Sequence, residues 1–481
     1  MSKIIAIFSD GTGQMGGLSP DQRLSNIYKL YRAMRPGPDS PIDPRTQFAF
    51  YDPGLGAGEG GMISLRRLRN VMASAIGSGI DENVIDCYEA IIANWEVGDR
   101  ILLFGFSRGA YTVRCVANVM NLCGVPTRMP DGVPVPKSGP GLRKIAEDAV
   151  KFVYSHGAGK DRRAYEPERE EKARRFRAKY ASEGFGADGE PQGQEQPHFI
   201  GVFDTVAALG LRIGQTILLA GLFILLCLAG YSVFAGFSLL ADIFIWSVFG
   251  ATGIWALHRT HDQLKYFRDD PDGPITSWHF ATWRSKHYDR FLDNKVRFAR
   301  HALSIDENRT AFPRVGWGSA ADMRRNATLQ PAWLKQVWFA GNHSDVGGSY
   351  PESESRLSDI ALDWMVSELR EAVPDAQIRD DILRLWPDPS GLQHDQIAAL
   401  RNLWPSWVPG WLRRHLTWSK TIRPIHEDAE LHPTVYERID AGPVPHVQSV
   451  KSYRPDNLRD HAKAGRKMGD ENIPSASGPA R

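Results

Sequence analysis

The residues most suited to chemistry sit in Gly105-Phe106-Ser107-Arg108-Gly109, a G-x-S-x-G sequence that follows the apolar run Arg100 to Phe106 and precedes a segment of helical period. Between a strand and a helix, the flanking Gly105 and Gly109 permit a tight turn that puts Ser107 at its tip, facing the helix's positive dipole. A serine hydroxyl is a weak nucleophile until a base takes its proton, so the pattern demands a histidine and an acid. In this kind of turn they follow in the order Ser, acid, His. Asp204 comes just after the run Phe199 to Phe203, and His343 just after Val337 to Ala340. Those are the strand ends where parallel sheets build their sites. Singly, Asp204 reads equally well as a helix cap and His343 as a turn residue. Jointly with Ser107 they read as acid, base and nucleophile.

A tetrahedral intermediate needs donors for its oxyanion. The backbone N–H of Arg108 is the first candidate, and Gly11 or Thr12, in the loop after the first strand, supplies the second. Asp10 either fixes that loop or forms a simple Asx turn. Asp345, two residues from His343, reads as loop-shaping, and Asp10 and Asp52 fall in turns ending the first two strands.

Five short apolar runs have the look of buried parallel strands: Lys3 to Ser9, Phe48 to Tyr51, Arg100 to Phe106, Phe199 to Phe203 and Val337 to Ala340. Helical segments lie between them. Ser19-Pro20-Asp21-Gln22 is a helix start ahead of Ile27, Leu30 and Tyr31, Val84 to Trp95 keeps helical spacing, and Tyr111 to Leu122 stops at Gly124. Alternating strands and helices predict an α/β fold, here an α/β-hydrolase-like parallel sheet with flanking helices. Lys160 to Lys179 reads as a solvated helix and Gly184 to Pro197 as a flexible connector, together a surface insertion.

The 481 residues carry 58 Lys+Arg against 56 Asp+Glu, a net charge of +2, which argues against a nucleic-acid binder. The four cysteines, Cys87, Cys115, Cys123 and Cys227, have no ligand spacing and do not form a disulfide scaffold. No metal and no cofactor is expected: the glycine-rich Gly54 to Gly61 lacks the residues of a phosphate loop, and His426 and His432 lack ligand spacing. The N-terminal apolar run Ile4 to Phe8 is too short for a signal peptide, so Sec export is not expected.

Ile213 to Leu257 holds a single charge, Asp242. It is long enough for a transmembrane hairpin reversing near Ala235 to Phe237, with Arg212, His258 and Arg259 placing both ends in the cytoplasm. A hydrophobic lid or buried core pair is the alternative. The expected layout is a hydrolase domain over 1–212 and 258–451, the hairpin at 213–257 and a flexible tail at 452–481. Trp404, Trp407, Trp411 and Trp418 with Arg413 and Arg414 form either an interfacial belt or an aromatic core.

Several motifs together resemble the DUF2235 family, the α/β-hydrolase domain of type VI secretion phospholipase effectors of the Tle1 kind. They are Asp10-Gly11-Thr12, Tyr51-Asp52-Pro53-Gly54, Gly105 to Ala110, Gly201-Val-Phe-Asp204-Thr-Val206, Val296 to Leu303, His343 to Gly348 and Leu357 to Ala361. The resemblance runs over roughly residues 3 to 365; Phe203 departs from it, since the family more often has Trp there. It implies a bacterial serine esterase or phospholipase with Ser107 as nucleophile, Asp204 as acid and His343 as base. The expected function is a membrane-associated serine hydrolase cleaving carboxylic esters, most naturally of phospholipids. Its partners would be a lipid or ester substrate and the bilayer, its place the bacterial inner membrane. The alternatives are small soluble esters or thioesters, a non-catalytic membrane adaptor, and a secreted effector with a secretion or immunity partner.

Overall fold

The computed structural model describes residues 2–11, 23–54, 80–161, 164–206, 221 with parts of 223–235, 239–281, 290–310, 312–318, 324, 326, 329, 332–403, 410, 419–447 and 449–469. Its centre is a six-stranded parallel sheet: β1 (Ile4–Ser9), β2 (Gln47–Asp52), β3 (Arg100–Phe106), β4 (Phe199–Phe203), β5 (Phe298–Ser304) and β6 (Leu334–Phe339), in the spatial order β6-β5-β4-β3-β1-β2. The chain runs from β1 to its neighbour β2, crosses back over β1 to β3, and then steps outward strand by strand. The order therefore reverses between β1 and β3, and the crevice at their carboxyl ends is where open α/β sheets bind ligands.

Alternate side chains explain the uniformly apolar strands. Ile5, Ile7, Ile101, Leu103, Ile200 and Val202 enter a core on one face. Ile4, Ala6, Phe8, Leu102, Phe104, Phe106, Phe199 and Phe203 enter a second core on the other. With both faces covered, no strand needs a polar side. The first face carries α2 (Ile80–Asn94), α3 (Arg108–Cys123) and α4 (Glu166–Tyr180), the second α1 (Asn26–Met34) and α7 (Arg356–Ala372). α1 starts at the Ser25 cap, whose Oγ accepts the Tyr28 N–H; the expected start at Ser19 to Gln22 lies outside the described residues.

β5 is the strand that the apolar runs do not announce. Its Arg300 and His301 interrupt the pattern, yet both are buried, Arg300 being held by Glu368 and by the carbonyls of Ala299, Ala332 and Trp333. Two segments expected to be loose are built in. α4 buries Ala173, Phe176, Arg177 and Tyr180 along one side, so it is only partly solvated. The following Glu183–Phe185 and Pro191–Gly193 form an antiparallel hairpin in place of a flexible connector. Gly193 lies so close to α3 that a Cβ there would fall 1.9 Å from the Met120 carbonyl oxygen. Residues 453–469, read from sequence as the start of a tail, pack Tyr453, Leu458 and Ala464 into a third core with Leu303, Ile305 and Trp338.

The apolar stretch is described mainly through α5 (Leu239–Gln263), which leads into a hairpin of Leu264–Phe267 and Ser277–Phe280. Lys172 and Arg175 of α4 donate to carbonyls of Tyr266 and Arg268 and dock that hairpin on the domain. No helix among the described residues is long and apolar enough to cross a membrane. The expected pair of spans is not found there: α5 carries Asp242 in its first turn and closes on His258-Arg259-Thr260-His261-Asp262-Gln263, and most of the first arm lies outside the described residues. Beyond α5, α6 (His343–Gly347) precedes α7, and α8 (Pro433–Asp440) follows it.

Candidate active site

Ser107 stands between β3 and α3 with φ 60° and ψ −121°, the sharp turn that lifts its side chain out of the helix. The turn is held by the Ser107 N–H donating to the Phe203 carbonyl at 3.1 Å. Both flanking glycines are required by space. A Cβ on Gly105 would meet the Gly109 carbonyl oxygen at 2.5 Å, and one on Gly109 would meet the Ser9 carbonyl oxygen at 2.1 Å. Helix α3 therefore lies directly against the end of β1.

Asp204 ends β4 in a left-handed conformation, φ 37°, and is fully buried. His343 opens α6 behind the cap Asn342; a reciprocal box with Asp345 closes that turn, Asn342 Oδ1 accepting from Ser344 and Asp345 while Asp345 Oδ2 accepts the Asn342 N–H. The fold brings these two residues, 139 apart in sequence, together: His343 Nδ1 donates to Asp204 Oδ2 at 2.5 Å. The opposite nitrogen, Nε2, is buried and has no hydrogen-bond partner, so Ser107 Oγ is not bonded to it here. The ring stacks on Phe106, the residue before Ser107, with centroids 4.6 Å apart, and Phe312 meets it edge-on at 5.1 Å. Gly347 makes room for the stack, since a Cβ there would fall 1.9 Å from the Phe106 ring.

Burial alone would push the Asp204 carboxyl up. The Arg423 guanidinium beside it, reinforced by the His343 and Arg423 hydrogen bonds, outweighs burial and holds it well below the usual carboxylate range. Arg423 donates from Nη1 to Oδ1 at 2.6 Å and from Nη2 to Oδ2 at 3.1 Å, and the Ser304 N–H also donates to Oδ1 at 3.1 Å. Glu307 Oε2 accepts the His343 N–H at 3.2 Å and pairs with Arg309. Arg423 and Glu307 went unread in the sequence because nothing local marks them; Arg423 lies 219 residues from Asp204.

Around Ser107, the Gly11 N–H is already donated to Asp10 Oδ1 at 2.7 Å, so Asp10 fastens the start of the loop after β1. The same carboxylate accepts from Ser25 Oγ and from Tyr51 OH at 2.8 Å, which ties the loop after β1 to α1 and β2. Arg108 begins α3, where the first N–H groups have no intrahelical acceptor. Thr12 lies outside the described residues, as do most of the glycine-rich loop, the four tryptophans, Arg413 and Arg414.

Residues 3–368 match the family model described as "T6SS, Phospholipase effector Tle1-like, catalytic domain". The chain belongs to this Tle1-like family. An uncharacterized protein of Saccharomyces cerevisiae is 32% identical over 130 residues, 26% of this chain and 18% of its own length. The chain thus spans under a fifth of that relative. A crystal structure of an uncharacterized protein from Pseudomonas aeruginosa aligns with 80% of this chain and 48% of its own, at a TM-score of 0.33 and 16% identity. Asp204, Ser107 and His343 all fall within the Tle1-like match, whereas Arg423 lies beyond it.

Among the described residues, one group offers metal-ligating atoms: His156, Glu168 and His279, within 4.8 Å of one another on the α4 side of the domain. Its bonds are those of a polar ladder. His156 bonds Glu168 at 2.7 Å through Nε2 and Lys172 Nζ at 2.9 Å through Nδ1, and Ser277 Oγ occupies the other Glu168 oxygen. A lysine beside the ring opposes a second cation. His432 caps α8 and stacks on Phe339, and His426 is exposed.

Proposed function

We propose that the chain is a lipid-ester hydrolase that works through Ser107, His343 and Asp204. The observation that carries the proposal is the buried, charge-clamped His343–Asp204 pair whose remaining nitrogen has no partner, stacked against the residue that precedes a strained serine. His343 Nε2 takes the Ser107 proton as Oγ attacks the acyl carbonyl, and Asp204 steadies the imidazolium that forms. The Arg108 N–H, at the start of α3, faces the developing oxyanion. Collapse returns the proton to the leaving alcohol, giving an acyl-enzyme that water then cleaves in the reverse sense.

Membership of a phospholipase effector family favours phospholipid acyl esters as substrate and a secreted effector over a resident inner-membrane enzyme. Lipid contact has its own support: Phe223, Ile224, Phe244 at 69% exposure and Ile254 at 71% leave an apolar surface on and beside α5. The bilayer is accordingly proposed as a docking surface for this region.

Fluorophosphonate labelling of purified protein beside Ser107→Ala and His343→Ala, with fatty-acid release from phospholipid vesicles followed in parallel, tests the reading. Labelling that vanishes in Ser107→Ala together with fatty-acid release is the expected result. Labelling without lipid turnover moves the substrate to small soluble esters or thioesters. A folded wild-type chain that does not label overturns the triad and leaves a non-catalytic adaptor.

A further inference from the structure

We infer that Arg423, supplied by the segment after the Tle1-like match, is a positioning residue that completes the Ser107–His343–Asp204 site; the inference rests on the hydrolase reading above. The contacts are specific. Arg423 is buried and its planar fork reaches both oxygens of Asp204, at 2.6 and 3.1 Å, a geometry only arginine provides. The two terminal nitrogens also donate to the Ser304 carbonyl at 3.2 Å and the Phe312 carbonyl at 3.0 Å, while Nε is buried without a partner. One side chain thereby joins the acid, the end of β5 and the residue whose ring contacts His343 edge-on.

The segment that carries Arg423 is itself fastened to the strand-end loop. The Thr421 N–H donates to the Asn308 carbonyl at 2.7 Å and the Thr310 N–H to the Ser419 carbonyl at 3.0 Å. Asn457 Nδ2 holds the Ile305 carbonyl at 2.8 Å and the Arg423 carbonyl at 3.3 Å, linking the clamp to the third core. The catalytic-domain match ends at 368, so the acid is oriented by a part of the chain that the match does not include.

Two consequences separate positioning from ordinary stabilisation. Asp204 must remain a carboxylate in one orientation for His343 to present Nε2 to Ser107, and removing the fork leaves that buried carboxylate with only the Ser304 N–H and the imidazole. Arg423 donates its hydrogen bonds to Asp204, Ser304 and Phe312 and not to Ser107, so substrate binding should be spared while the chemical step suffers. It also lines a cavity of about 540 Å³ with Lys420, Thr421, Gln393 and Asn457, so truncation opens space in which a free guanidinium ion can take its place.

The test uses the full chain as Arg423→Ala and Arg423→Lys, with Ser107→Ala and Asp204→Asn as controls, assayed by fluorophosphonate labelling rate and by hydrolysis of a short-chain nitrophenyl ester. Arg423→Ala should lose about 100-fold in kcat and in labelling rate with KM within about threefold of wild type. Added guanidinium chloride at nondenaturing concentration should restore about tenfold of this in Arg423→Ala and nothing in Asp204→Asn. Arg423→Lys, which keeps the charge and loses the fork, should fall about tenfold while retaining the wild-type melting temperature. The inference is overturned by a lysine variant as active as wild type, or by an alanine variant whose loss guanidinium does not recover. A wild-type chain that does not label at all, indistinguishable from Ser107→Ala, retires the hydrolase reading itself.

Discussion

Gly11 lies against Ser107 so closely that a Cβ built on it would sit 3.2 Å from the serine Cβ and 3.2 Å from the Phe106 ring. The approach follows from topology, since β1 and β3 are neighbours at the point where the strand order reverses and Gly109 lets α3 descend onto the end of β1. A side chain on Gly11 must push Ser107 or Phe106 by a few tenths of an ångström, and Phe106 is the plate on which His343 rests. Gly11→Ala should therefore slow fluorophosphonate labelling by about tenfold, and Gly11→Val by more, with circular dichroism unchanged. Labelling at the wild-type rate in Gly11→Val would show that the loop after β1 does not border the reacting atoms.

Asp204→Asn probes the orientation of His343. An amide in place of the carboxylate can offer its NH2 to Nδ1 and so favour the tautomer that carries its proton on Nε2, which cannot accept from serine. The expected loss in kcat is about 10³- to 10⁴-fold. The variant also leaves the Arg423 guanidinium without its counter-ion, so a lower melting temperature should accompany the loss. An Asp204→Asn protein within tenfold of wild type would remove Asp204 from the mechanism.

Sequence alone reached Ser107, Asp204 and His343, the residues proposed for the chemistry, because each follows directly on an apolar run, and strand ends are where a parallel sheet places its chemistry. It stopped at residues whose partners are distant. Arg300 and His301 disguise β5 because a buried ion pair with Glu368, 68 residues on, cannot be seen in a local apolar count. Arg423 stands in a stretch with no strand or helix pattern, and only the closed fold puts it on Asp204. Gly184 to Pro197 has the composition of a linker, yet its glycines permit the close approach of Gly193 to α3. Composition reports how freely a segment bends; whether it is docked depends on what it meets.

Gly109→Ala is the sharpest test of the turn itself. The added methyl would overlap the Ser9 carbonyl oxygen at 2.1 Å and the Asp10 carbonyl oxygen at 2.6 Å, backbone atoms at the end of β1 that cannot swing aside as a side chain could. Destabilisation of about 2 kcal/mol or more is expected, since overpacking against backbone forces the strand or the helix to move. Urea unfolding should show the drop in midpoint. An unchanged midpoint would mean that α3 can retreat from β1 at little cost, contrary to the packing described.

Two buried carboxyls near Ser107 contribute to the pH dependence of stability. Burial pushes Asp52 up to about 7 against the hydrogen bonds it accepts from Ser9 and Asn83, and pushes Asp10 up to about 6 against those from Ser25, Gly11 and Tyr51. In the unfolded chain both titrate near 4. Between about pH 4 and 7 the folded protein thus holds protons that the unfolded chain has released. Their contribution is fully present below the unfolded value and is lost as pH rises through 6 and 7. Asp204 runs the other way: its carboxyl is depressed on folding, so its contribution is present above about pH 4 and fades only in stronger acid. Burial holds His156 and His432 down to about 4 and His301 well below its ordinary value, so these rings add stability as pH rises toward about 6.5 and oppose the two carboxyls. Thermal unfolding from pH 5 to 8 should therefore be compared between wild type and Asp52→Asn, whose difference isolates a loss on the order of 3 kcal/mol as pH rises to 7. Asp52→Asn, which keeps an acceptor for Ser9 and Asn83 but has no proton to lose, should lack this loss and gain on wild type steadily from pH 5 to 7. Parallel pH curves for the two proteins would show that Asp52 is already ionised in the fold across this range.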